Sequence, residues 1–469
     1  MSFVFFDTET TGLKHGFDQI VHFAAILTDN DLNEVGRFEV RSRLLPHIVP
    51  HPGALRTNGI SIAQLTDKNL PSHYEMVMAI RRQLSSWSPS IFVGYNSIRF
   101  DEEMLRHAFF QTLNPTFLTS NHGNCRADAL GLMMVAAALS PACLVAPVGL
   151  GGRPVFRLEQ LALANGIPHT QSHDAMADVI ATLALCRCVR ERSSDLWQRF
   201  VRFSKKATVA DFVDAEDGFF LTEFFRNEAY HSPVVCMGED PEKPNGRLCL
   251  RLDVDIESLG AMDEENLRTE LAAKPSPIRS LRINAAPALT PFYDAPDLML
   301  NGLDVDELES RARWIKDNRD LCSRLISSYM TTREPPPVSL HVEARIYEGF
   351  PGDEDVVRMA SFHDASWPEA FSIVQSLDDE RLKVLGLRLI YFAARSILPD
   401  NVRLQVERDL TDRLFKDTGA GLTLQQALQE TNILLGAGGV EANGILNEYK
   451  NYLITRIQRV AEFRSQLGQ

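Results

Sequence analysis

The stretch Phe3-Val4-Phe5-Phe6-Asp7-Thr8-Glu9-Thr10-Thr11-Gly12 decides how the rest of this 469-residue chain is read. Its apolar run predicts a buried strand over Phe3–Phe6, and two carboxylates follow at its end, two residues apart. Side chains alternate across a strand, so Asp7 and Glu9 project from one face. Anions held that close repel unless a cation lies between them or one takes a proton. Two acids at a strand end before a glycine turn therefore point to a divalent-metal site with hard oxygen ligands. An acidic strand exit with both side chains in water fits the same ten residues, and the stretch alone leaves both readings open.

Outward from this strand the first segment alternates strand and helix patterns. Strands are expected at Val21–Thr28, at Val35–Leu44 (antiparallel) and at Ile91–Val93. Helices are expected around Ser72–Ser86, Asp101–Leu113, Leu158–Asn165 and Asp174–Arg192. The fold class is α/β with a mixed sheet, closing near residue 200. From 201 to 337 short β runs such as Val234–Met237 and Leu248–Val254 interleave with acidic helices, for example Asp263–Ala272 and Val305–Asp317. Arg333-Glu334-Pro335-Pro336-Pro337 is a stiff breaker and the expected linker. Residues 338–469 read as almost wholly helical. Three domains are thus expected, at 1–200, 201–337 and 338–469.

Composition narrows the function classes. The 45% hydrophobic content is enough to bury real cores. Pro141 and Pro147 interrupt the apolar stretch Ala129–Val148, and a helix over Ala129–Leu139 is too short to cross a bilayer. A strand starting at Phe3 leaves no room for a targeting peptide, and seven cysteines without zinc-ligand spacing read as the reduced thiols of a cytoplasmic protein. The net charge of −14 argues at first against a nucleic-acid partner. Yet residues 1–200 carry 17 Lys/Arg against 18 Asp/Glu, so the acidity lies mainly elsewhere. Local fields, not totals, attract phosphates.

Two further motifs carry chemistry. Gly94-Tyr95-Asn96-Ser97-Ile98-Arg99-Phe100-Asp101 follows the Ile91–Val93 strand, and Asp101 would open a helix, where the dipole favours an acid in any case. Ser172-His173-Asp174-Ala175-Met176-Ala177-Asp178-Val179 begins the last helix of the segment. Ser172 or Asp174 can cap it, and Met176, Val179, Ile180 and Leu183 fit one apolar face. A carboxylate at Asp178 with an imidazole at His173 suits metal-assisted hydrolysis, the metal polarising phosphate and water and the His taking the water's proton. A histidine at a helix start without a catalytic role is the plainer alternative.

Taken in order, Asp7-x-Glu9, Asn96-x-x-x-Phe100-Asp101 and His173-x-x-x-x-Asp178 resemble the DEDDh family of 3′→5′ exonucleases, which have a ribonuclease-H-like fold. Pro52-Gly53-Ala54-Leu55-Arg56-Thr57-Asn58-Gly59-Ile60, Phe156-Arg157-Leu158-Glu159 and Ala164-Asn165-Gly166-Ile167 narrow the resemblance to the bacterial exodeoxyribonuclease I branch. Ile283-Asn284-Ala285-Ala286-Pro287 and Ala344-Arg345-Ile346-Tyr347-Glu348-Gly349-Phe350 extend it over nearly the whole chain, most sparsely between 201 and 335.

The resemblance implies an exonuclease domain, an SH3-like α+β domain and an all-helical C-terminal domain closing over single-stranded DNA. It implies two Mg2+ ions, replaceable by Mn2+: Asp7, Glu9 and Asp178 would bind one, and Asp7 would bridge to a second held by Asp101 directly or through water. His173 would be the general base. Single-stranded DNA 3′ ends are the expected substrate, degraded to 5′-mononucleotides in DNA repair or recombination. The acidic tail of single-stranded-DNA-binding protein is an implied partner, and a monomer without membrane attachment is expected. Phe17, Tyr95 and Phe100 could stack on bases, although Phe100 also suits a core. Lys205 and Lys206 could neutralise phosphates or stand on a solvated surface. Leu13 and the Ala54–Ile60 loop fall where related exonucleases embrace the terminal nucleotide, and Asn96 is a further substrate-binding candidate. Catalytic residues that touch only phosphate and metal leave RNA ends or a polymerase primer open as substrates; the two C-terminal domains favour DNA exonuclease chemistry. A noncatalytic DNA-binding scaffold is disfavoured because all four acids and the histidine are present.

Overall fold

The computed structural model describes residues 2–149, 151–169, 173–334, 338–437 and 443–466. Its first sheet has the order β3-β2-β1-β4-β5. The strands are β1 (Ser2–Thr10), β2 (Ile20–Thr28), β3 (Glu34–Arg41), β4 (Ser90–Gly94) and β5 (Cys125–Asp128). β2 and β3 run antiparallel to their neighbours while β4 and β5 run parallel, so the sheet is mixed. The central strand is longer than its apolar run. It continues through both acids because Asp7 pairs with Ala24 and Glu9 with His22, ending at a register shift between Glu9 and Thr10. Asp7 and Glu9 therefore lie inside a strand and not at its exit.

The pleat of β1 divides the core. Phe3 and Phe5 pack on one face with Leu132, Met133 and Ala136 of α5 (Ala129–Leu139) and with Val179, Leu183 and Cys186 of α7 (Ala175–Arg192). Val4 and Phe6 pack on the other with Met76, Ile80 and Leu84 of α3 (His73–Ser86) and with Met104, Leu105 and Ala108 of α4 (Asp101–Gln111). Preceding these are α1 (Pro52–Asn58) and α2 (Ile62–Leu65), and α6 (Leu158–Ala164) precedes α7. Pro52 opens α1 at its first turn and Gly59 ends it in the left-handed region (φ 69°), so most of the expected Ala54–Ile60 loop is helix. On α7 the buried stripe runs through Ala175, Val179, Thr182, Cys186 and Val189. Ile180 falls one 100° step outside it and is 41% exposed, against the expected apolar face. Ser172, the alternative cap, lies outside the described residues. Asp174 is the cap, accepting from the Ala177 amide at 3.2 Å.

The second sheet is antiparallel, ordered β10-β6-β7-β8-β9. It comprises β6 (Phe219–Phe225), β7 (Glu228–Asp240), β8 (Lys243–Arg251), β9 (Ile278–Arg282) and β10 (Ala288–Pro291). β8 stops at Arg251, short of the expected Val254, because Asp255 caps the helix Ile256–Ala261 directly afterwards. In the expected linker Arg333 is held by Asp240 at 2.9 Å, and Pro335–Pro337 lie outside the described residues. No helix among the described residues is long and apolar enough to cross a membrane.

From Asp353 onward the described residues are mainly helical, and these helices pack against the first sheet's own helices. Leu414, Leu424, Tyr449 and Leu453 share a core with Val21, Leu55 and Leu65. The Tyr449 hydroxyl donates to the Pro50 carbonyl at 2.6 Å. Where the chain enters this region, buried Glu343 is clasped by Arg388 and Arg413. Burial alone would raise the Glu343 carboxyl, yet the two guanidiniums hold it at about 2. Truncating one partner of a buried ion pair leaves uncompensated charge, costing about 3–5 kcal/mol. Glu343→Ala should therefore lose about that much in urea unfolding, with wild-type stability falling away as pH drops from 4.5 through about 2.

Candidate active site

Alternation on β1 puts Asp7 and Glu9 on the face covered by α7, and the first turn of α7 carries Asp178 to meet them. Carboxylate oxygens of these three residues lie within 4.8 Å of one another. Asp101 approaches from the other layer. β4 pairs with β1 only as far as Phe5, which leaves the Thr8 amide without a strand partner on that side. Asp101 Oδ1 supplies one, accepting from Thr8 N at 3.1 Å and Thr8 Oγ1 at 2.6 Å. Asp101 is therefore beside the three-carboxylate group and tied to the strand between Asp7 and Glu9.

The electrostatics of four gathered acids follow directly. Burial pushes Asp7 well above the carboxylate range, reinforced by the charges of Asp101, Asp178 and Glu9. Burial, then Asp178 and Asp101, lifts Glu9 from 4.5 to about 9, opposed by Arg41. Burial lifts Asp101 to about 7, against the hydrogen bonds from Thr8. Asp178 is raised by burial and restrained by His169 and His173. A set of hard oxygen donors whose carboxyls burial and mutual repulsion push upward, with only partial compensation by Arg41 and His169, fits a divalent cation.

The two histidines before α7 behave differently. His173 is exposed, with φ 65° in the left-handed region. Its backbone amide donates to Asp178, but its imidazole is not among the gathered carboxylates. The imidazole on Asp178 belongs to buried His169, whose Nε2 lies 2.7 Å from Asp178 Oδ1. Sequence reasoning missed His169. The available signal was a second histidine four residues before His173 in the same approach to the helix.

The loop motifs are built turns. Asn96 is exposed and left-handed (φ 61°), and its amide donates to Asp128 Oδ1 at 2.8 Å. A Cβ at Gly94 would come within 2.5 Å of Ser97 and 2.9 Å of the Phe6 carbonyl, so the turn requires glycine. The Tyr95 hydroxyl donates to the Phe156 carbonyl at 2.6 Å and its ring packs against the core, which removes it from base stacking. Phe100 packs against the α3/α4 core, and Phe17 meets His341 edge-on. Leu13 is 80% exposed at the tip of a turn clasped by Asp18, which accepts from Thr11 Oγ1 and the Lys14 amide. Ala54 lies on α1, partly buried; Lys205 and Lys206 are exposed where the helix Lys206–Ala215 begins.

The segment that carries the mixed sheet and its carboxylate set, residues 4–186, matches the exonuclease family model RNase_T, which makes it a nuclease-type hydrolase domain. Over 378 residues the chain is 30% identical to exodeoxyribonuclease I of Escherichia coli, spanning 76% of this chain and 78% of that one. The Haemophilus influenzae exodeoxyribonuclease I is 28% identical over 408 residues, 82% of each chain. Exonuclease I of Methylocaldum szegediense superposes with a TM-score of 0.85 at 25% identity, covering 97% of this chain and 99% of that one. E. coli exonuclease I bound to a dA16 oligonucleotide gives 0.85 at 24%, covering 98% and 99%. This chain belongs to the exodeoxyribonuclease I family and is a hydrolytic exonuclease.

A carboxyl raised in the folded state binds a proton on folding, so its contribution to stability falls as pH rises from its unfolded to its folded value. The melting temperature in chelator should therefore fall between pH 4.5 and about 9, the span set by Glu9. Mg2+ should restore it, and Glu9→Gln should flatten the decline.

Proposed function

We propose that the chain is a magnesium-dependent 3′→5′ exonuclease that degrades single-stranded DNA to 5′-mononucleotides, in the repair or recombination role that the resemblance implies. The observation that carries this is the group formed by Asp7, Glu9 and Asp178 with Asp101 tied alongside, in a chain that superposes almost entirely on an exonuclease I holding a single-stranded oligonucleotide.

Asp7, Glu9 and Asp178 would hold one magnesium ion and Asp101 would serve a second, and bound ions supply charge neutralisation and polarisation of the scissile phosphate and attacking water. His173 takes the water's proton at an imidazole nitrogen. The water oxygen bonds to phosphorus, the P–O3′ bond breaks, the O3′ of the shortened strand takes a proton from solvent, and the terminal nucleotide leaves with its 5′-phosphate. His169 fixes the Asp178 carboxylate from behind, so the orientation of that acid is set by buried protein and not by solvent. His173 is exposed one residue before the cap of α7, which supports the reading of it as the base. Exposed Leu13 and Asn96 are the proposed contacts to the terminal nucleotide. The acidic tail of single-stranded-DNA-binding protein is a proposed partner, supported by the likeness to an SSB/exonuclease I structure at TM-score 0.83.

A time course on 5′-labelled single- and double-stranded DNA, and on matched RNA, tests the reading. A ladder shortening from the 3′ end on single-stranded DNA alone, abolished by chelator, is expected; faster digestion of RNA would replace the substrate assignment. Asp7→Asn should lower kcat by about three orders of magnitude, roughly 4 kcal/mol of barrier, while leaving the circular-dichroism spectrum unchanged. Near-wild-type turnover of that variant would refute the scheme. His173→Ala should lower kcat and remove the acidic limb of the pH–rate profile.

A further inference from the structure

Direct cross-strand partners share a face, so the register of the first sheet defines two rows of side chains. Asp7, Ala24 and Glu39 form one row; Glu9, His22 and Arg41 form the next. Both begin at the gathered carboxylates and end on β3, beneath the start of α7. There Arg41 Nη2 lies 3.0 Å from Asp174 Oδ2 and 3.6 Å from Glu39 Oε1, and His22 Nε2 lies 2.9 Å from Glu39 Oε1. His22, Glu39 and Asp174 bring their ligand atoms within 4.8 Å, but the guanidinium already answers both carboxylates, so the cluster is closed by the protein's own cation. Asp174 is the cap of α7 and the residue after His173.

We propose that Arg41 is a positioning residue for His173: it tethers the Asp174 cap to β3 and so fixes the backbone from which the imidazole reaches the site. The inference rests on the reading of His173 as general base. Arg41 is 41% exposed, and such ion pairs contribute at most about 1 kcal/mol to stability, so its removal leaves a folded enzyme. Alignment of a catalytic group, by contrast, acts steeply on rate.

A double-mutant cycle with Mg2+ and single-stranded DNA tests it. Arg41→Gln should lower kcat about tenfold with KM unchanged, and Arg41→Lys should recover much of the loss. In a His173→Ala background Arg41→Gln should change kcat less than about twofold. An equal loss in both backgrounds, or no loss in the wild-type background, would overturn the tether. A His173→Ala enzyme with wild-type kcat would instead remove the base reading on which the tether rests.

Discussion

The structure depends on the pleat of one strand. In β1 the odd residues face α7 and the even residues face α3 and α4. The period that buries Phe3 and Phe5 is the same one that presents Asp7 and Glu9 to Asp178. A one-residue slip would send both acids to the opposite layer. Register is set by the antiparallel pairing with β2, which runs unbroken from Phe3 to Glu9. Site geometry and core packing are thus one specification.

That arrangement gathers like charges where water is scarce, and the surrounding structure answers three of the four in a particular way. Thr8 holds Asp101, His169 holds Asp178, and Arg41 opposes the rise at Glu9. Among the described residues Asp7 has no such partner; burial and four neighbouring acids all act on it in one direction. A cation bound beside Asp7 would oppose every one of these effects at once.

Much of this was legible because it is local. The apolar run at Phe3, the Asp174 cap and the apolar Ala129–Leu139 are signals carried by neighbours in sequence. What escaped is what distant residues decide. The polar second half of β1 is strand only because β2 lies beside it, and β5, with Arg126 and Asp128 in four residues, has no strand pattern of its own. Ala54–Ile60 reads as a loop until Pro52 is seen opening a helix ahead of it. Ile180 fits the helical period yet sits outside the stripe that the sheet covers. His169 becomes visible only when the fold brings its imidazole against Asp178.

The Tyr449–Pro50 contact joins residues 399 positions apart. During synthesis, therefore, the catalytic sheet emerges long before its cover is made. Val21, Leu55 and Leu65 are apolar surface on a nascent chain until the last helices leave the ribosome and dock on them. A chain cut short before Leu414 would carry the complete set of acids with Val21, Leu55 and Leu65 uncovered, a product for chaperones and proteases to clear before it meets DNA.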